Sequence, residues 1–232
     1  MTRGFVLGCG LAVLCTASAE GAGRPVTFSS ADGIQLAATF YEGPSRPSPA
    51  VVLVHMLGRS KEDWNYFAER LEDAGMMVLA IDLRGHGRSS GSMAMLQPMV
   101  NDVVGAVNWL AARPNVRPGA VAIVGASLGA NLAALAAAQL PGLHALALVS
   151  PSLDYRGVRL DASAIKKIGV RPVLMVASTQ DPYALRTIHE LMSEGSGREQ
   201  RLSTATGHGT NLLAADSELA RSLVEWLRRI FG

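Results

Sequence analysis

Past residue 15 this sequence has no cysteine. The only two among its 232 residues, Cys9 and Cys15, lie in a leader-like opening segment. Beyond that segment a disulfide framework, a thiolate metal site and a cysteine nucleophile are excluded. Lysine is almost as scarce, occurring only as Lys61, Lys166 and Lys167. The formal net charge is +2, of which Arg3 in the leader supplies one unit. With no basic stripe, nucleic acid is not an expected partner. The five histidines are scattered, and neither H-x-x-x-H nor H-E-x-x-H occurs, so neither a metal nor another cofactor is expected. A long uninterrupted apolar run is also missing. Residues 121–140 come nearest, but Gly125, Ser127, Gly129, Asn131 and Gln139 interrupt them. They read as a buried strand and a buried helix, not as a membrane span.

The first residues carry the marks of a signal peptide: Arg3, an apolar stretch from Phe5 to Leu14, and the small-residue site Ala17-Ser18-Ala19. Residues 1–19 are expected to be removed, leaving a mature chain from Glu20 that is periplasmic or secreted. The remaining residues, roughly 213, suit one domain with a sizeable core. Asp32-Gly33 marks a hairpin between Val26–Ser30 and Ile34–Tyr41. Buried strands are expected at 50–55, 76–81, 119–124, 145–149 and 173–177, with a further strand at 199–202. Helices alternate with them. One is capped by Ser60 with Asp63, one opens at Pro98, and an amphipathic one spans 218–230. This alternation means an α/β fold, a mostly parallel twisted sheet with helices on both faces.

The most informative stretch is Gly125-Ala126-Ser127-Leu128-Gly129. A bare G-x-S-x-G is expected by chance about 0.2 times in a chain of this composition. Here it follows a strand and precedes an Ala-rich helix, the context of a nucleophile elbow. A serine nucleophile needs a base, and an acid to orient that base, in the order Ser, Asp/Glu, His. Asp181 follows the strand at 173–177, and His208 follows the strand at 199–202. Both fall at the C-terminal edge of a parallel sheet, where ligands bind. The other histidines fit less well. His86 lies in a turn after another strand, His144 precedes a strand, His189 sits mid-helix beside Glu190, and His55 reads as a brace for its own loop. Asp154 remains a rival acid, one strand earlier.

With these residues the chain resembles the α/β-hydrolase superfamily over nearly all of its mature length. The strand ending in His55 and the segment Asp82-Leu83-Arg84-Gly85-His86-Gly87-Arg88-Ser89, similar to D-x-R-G-x-G-x-S, add to the likeness. Ser178-Thr179-Gln180-Asp181 looks like a G-x-x-D acid turn with Ser for Gly. The size is most like that of small cap-poor members, the dienelactone hydrolase-like proteins and carboxylesterases. The resemblance implies a catalytic Ser127, Asp181 and His208, and an oxyanion hole from the N–H groups of Leu128 and Leu57. The loop departs from the usual His-Gly: Met56 follows His55. Met56, Met93, Met95 and Leu96 are expected to contact substrate. Only about twenty residues separate the strand at 145–149 from Pro172, room for one short helix, so small-to-medium esters are the expected substrates. Two alternatives stay open: a serine peptidase of the same fold, and a non-catalytic binding protein on a hydrolase scaffold.

Overall fold

A computed structural model describes residues 23–232 apart from Ser45, Asp161 and Glu194. The signal peptide expected over residues 1–19 lies outside the described residues. The N-terminal hairpin is β1 (Arg24–Ser29) and β2 (Gln35–Tyr41), paired antiparallel. Then come β3 (Ser48–Val54), α1 (Asn65–Asp73), β4 (Met77–Ile81), α2 (Val100–Ala111), β5 (Val116–Ala126) and α3 (Leu128–Ala137). β6 (Ala145–Val149) leads into a small insert, made of a hairpin of β7 (Asp154–Tyr155) with β8 (Val158–Arg159) and the short α4 (Ala162–Ile168). The chain finishes with β9 (Val173–Ser178), α5 (Pro182–Ser193), β10 (Arg198–Ser203), α6 (Thr210–Ala215) and α7 (Ser217–Phe231).

The main sheet has the order β1-β2-β4-β3-β5-β6-β9-β10. From β4 to β10 all neighbours are parallel; β2 joins β4 antiparallel. Side chains alternate across it. Val52 and Val54 face one core with α2, α3 and α5, while Val51 and Leu53 face a second with α1 and α7. Burial on both faces is why these strands read as near-continuous apolar runs. The 121–140 stretch divides between the end of β5 and α3, and no helix among the described residues is long and apolar enough to cross a membrane.

From β3 the chain moves to β4 on one side; from β5 it moves to β6 on the other. The loops after β3 and β5 therefore diverge and leave a crevice at the C-terminal strand ends, the topological switch point of an open sheet.

Two local expectations give way to tertiary contacts. Ser60 makes no side-chain capping bond, and a 3₁₀ turn over Lys61–Trp64 precedes α1. The Asp63 carboxylate is drawn instead to Arg59, at 2.6 and 3.0 Å. The insert holds a strand pair as well as the short helix. A two-residue turn closes that pair at once, so the strand pair and the helix both fit the length of the insert.

Candidate active site

Ser127 sits between β5 and α3 with φ 52 and ψ −118, a backbone that a side chain rarely adopts. The flanking glycines make it possible. A Cβ on Gly125 would lie 2.2 Å from the carbonyl oxygen of Gly129, and one on Gly129 would lie 2.3 Å from that of Val54. The turn thus packs against itself and against the end of β3. Ser127 N–H donates to Val149 O, tying the elbow to β6.

His208 Nε2 lies 2.8 Å from Ser127 Oγ, and His208 Nδ1 lies 2.6 Å from Asp181 Oδ2. A carboxylate only accepts, so Nδ1 carries the proton and Nε2 is left to accept from the serine hydroxyl. The serine is 5% exposed, whereas the His208 side chain is 49% exposed and the Asp181 side chain 12%. The structure thus brings Ser127, Asp181 and His208 together. It places Asp154 elsewhere: its oxygens accept from Gly157 N–H at 2.6 Å and Arg159 Nε at 2.7 Å, within the β7–β8 hairpin.

Several residues that support this arrangement escaped sequence reading. Ser150, held at φ 51, accepts from Gly209 N–H through its Oγ at 2.9 Å and fixes the loop bearing His208. Ser178, the residue that stands for glycine in the acid turn, donates to Ala205 O and accepts from Gln180 N–H. Gln180 in turn bridges Thr204 and Thr206. The acid turn and the histidine loop are therefore stitched together before Asp181 meets His208. The serine in place of glycine at 178 was the available sequence signal.

Leu128 N–H opens α3 and Leu57 N–H lies on the loop after β3. Among the described residues neither has an acceptor. Two buried histidines shape the Leu57 loop. His86 Nδ1 donates to Arg84 O, and its Nε2 accepts from Gly58 N–H at 3.1 Å. His55 Nδ1 donates to Met56 O at 2.6 Å, and its Nε2 accepts from Leu83 N–H at 3.0 Å. Each ring needs its neutral form to make both bonds. Burial above all, with the facing His86, pushes the His55 imidazole down to about 4. Asp82 braces the same region, but through Lys61 and Arg88 N–H. Arg84 pairs with Asp102 and Asp32.

Leu57, Met93, Met95 and Leu96 line a cleft of about 400 Å³ together with Gly58, Ala94, Gln97 and Arg156. Met56 does not. It is buried in the core shared with α1 and α7, and its sulfur fills the space beside Gly209 that a Cβ there would need. Strict alternation would have put Met56 on the face of Val52 and Val54; it lies two residues past the end of β3, where the chain has left the strand, and turns to the face of Val51 and Leu53. A larger cavity, about 720 Å³, lies at the opposite strand ends beside Ser48, Met76 and Arg117, far from this chemistry.

A family model described as serine aminopeptidase, S33 matches residues 45–203. An uncharacterised protein of Mycobacterium tuberculosis is 30% identical over 227 residues, covering 90% of this chain and 79% of that protein. A monoacylglycerol lipase of Mycolicibacterium smegmatis is 28% identical over 145 residues, 61% of this chain and 52% of the lipase. An esterase of Pyrococcus furiosus shares the fold with a TM-score of 0.75 at 17% identity, covering 90% of this chain and 93% of the esterase.

Proposed function

On the premise that this chain belongs to the S33 family of α/β hydrolases, we propose that it is a serine carboxylesterase acting on small-to-medium esters. The observation that carries the reading is the unbroken relay from Asp181 through His208 to Ser127, at 2.6 and 2.8 Å. His208 Nε2 takes the hydroxyl proton as Ser127 Oγ attacks the ester carbonyl. Asp181 stays ionised, fixes the imidazole tautomer and stabilises the imidazolium. Leu128 N–H and Leu57 N–H receive the oxyanion, each worth on the order of 3 kcal/mol in the transition state. His208 then protonates the leaving alcohol, and a water activated by the same base releases the acid from Ser127.

The family's description favours one second reading, a peptidase. The short insert between β6 and β9 offers little surface to select a peptide, so ester turnover is the first reading. A fluorophosphonate is expected to label Ser127 alone. Ser127→Ala should lose labelling and lower kcat by roughly 10⁴ to 10⁶. Esterase activity largely kept in that variant would remove the proposal, and amide turnover without ester turnover would install the peptidase.

Export belongs to the same proposal and rests on the composition of residues 1–19. Protein from an exported fraction should begin at Glu20. A retained Met1 on soluble cytoplasmic protein would contradict it.

A further inference from the structure

The cleft beside Leu57 is apolar except at one wall. Four of its lining residues are Leu57, Met93, Met95 and Leu96; the only charged one is Arg156. That arginine is the first residue of the two-residue turn joining β7 to β8, with φ 49, and Gly157 follows with φ 89. Two positive φ values in such a turn favour Asn, Asp or Gly at the first position. Arginine is a costly choice there, so the turn itself does not explain it.

The hairpin contains two arginines and one carboxylate. Asp154 is consumed by Arg159 and by Gly157 N–H. Arg156 has no hydrogen bond or ion pair among the described residues, so the hairpin presents one uncompensated cation at the cleft. Its position is well held. Asn131 Nδ2 donates to Val158 O and to Ser152 O, and Ser152 N–H donates back to Asn131 Oδ1. Leu153 N–H reaches Thr187 Oγ1 on α5. At the tip, a Cβ on Gly157 would lie 2.7 Å from Gln97 Nε2, so the turn is seated on the amide of the cleft wall. A strained, anchored and unpaired arginine beside an apolar groove matches a ligand with an apolar stem and an anionic end.

Resting on the esterase reading above, we propose that Arg156 is a specificity residue and that the enzyme's preferred substrates are esters whose acyl chain ends in a carboxylate, the monoesters of short dicarboxylic acids. The apolar stem lies along Leu57, Met93, Met95 and Leu96. The terminal carboxylate meets the Arg156 guanidinium, with the Gln97 amide as a second donor.

The test compares the nitrophenyl monoester of adipic acid with its adipamate analogue, in which a neutral amide replaces the free carboxylate. Adipate is long enough that its carboxylate does not readily attack its own ester through a small ring. The expected kcat/KM ratio is roughly tenfold in favour of the acid, as for a charge-assisted hydrogen bond in a partly solvated cleft. It should shrink as salt rises. Arg156→Gln should bring the ratio near one, and Arg156→Glu should invert it. Equal turnover by the wild type, or a preference kept in Arg156→Gln, overturns the proposal. Binding of both esters to Ser127→Ala, followed by calorimetry, separates this from failure of the esterase reading. Tighter binding of the acid there sustains the cleft even if the wild type hydrolyses neither ester, and equal binding overturns it.

Discussion

Ser127 is held in a left-handed backbone conformation, at a cost on the order of 1 to 3 kcal/mol. Gly125 and Gly129 relieve the crowding that any Cβ would add, and Val149 O accepts the serine's own N–H. The hydroxyl is thereby presented at the N-terminus of α3, where partial positive charge favours a developing anion. At the same scale the two candidate acids separate cleanly. Asp181 touches the histidine; Asp154 touches only its own hairpin. Asp181→Asn is expected to lower kcat about 10⁴-fold, because an amide there favours the wrong tautomer of His208. Asp154→Asn should leave turnover of simple neutral esters within about threefold. Steady-state kinetics of the two variants checks this, and the reverse ranking would move the acid one strand earlier.

Among elements, the insert between β6 and β9 decides how much of a substrate can be covered. It supplies one two-stranded hairpin and a seven-residue helix. Met93 and Met95, on the facing loop, are 47% and 65% exposed and leave the groove open. Each buried methylene contributes about 0.8 kcal/mol only where protein encloses it. For uncharged aryl esters, kcat/KM should therefore rise with acyl length and level off by about eight carbons. A panel measured below the micelle thresholds tests this. Activity still climbing at twelve to sixteen carbons would mean a longer groove and contradict this.

The whole molecule ties its site to its stability through buried polar groups beneath the crevice. His55 is fully buried and pushed down to about 4, chiefly by burial, against about 6.5 in an unfolded chain. Between those values the unfolded chain holds a proton that the folded one excludes, so stability rises with pH across the window. Lowering the pH from 7 to 4.5 should cost on the order of 2 to 3 kcal/mol from this group alone. Glu62 is held down to about 2; its carboxylate keeps its folded-state advantage until lower pH, so it does not obscure the effect. Urea unfolding midpoints at the two pH values check this, and His55→Asn should flatten the difference. Equal midpoints in the wild type would contradict it.

The alternation of strands and helices, the elbow motif and the order Ser127, Asp181, His208 were legible along the chain. An apolar run buried on both faces announces itself within a few residues of chain, and so does G-x-S-x-G between a strand and a helix, although the contact that requires Gly129 comes from Val54 O at the end of β3. The tertiary structure decided which loops meet. Strand order put the loop after β3 beside the elbow. The turn that leaves β3 after Val54 carried Met56 inward beneath Gly209 and away from the cleft. Ser150, Asn131, Ser178 and Asp102 found partners that periodicity does not announce, and Arg59 drew Asp63 from the cap its spacing implied. A hydrogen bond between residues distant in sequence depends on how the strands pair and where the helices pack, and that is settled only when the whole sheet is assembled.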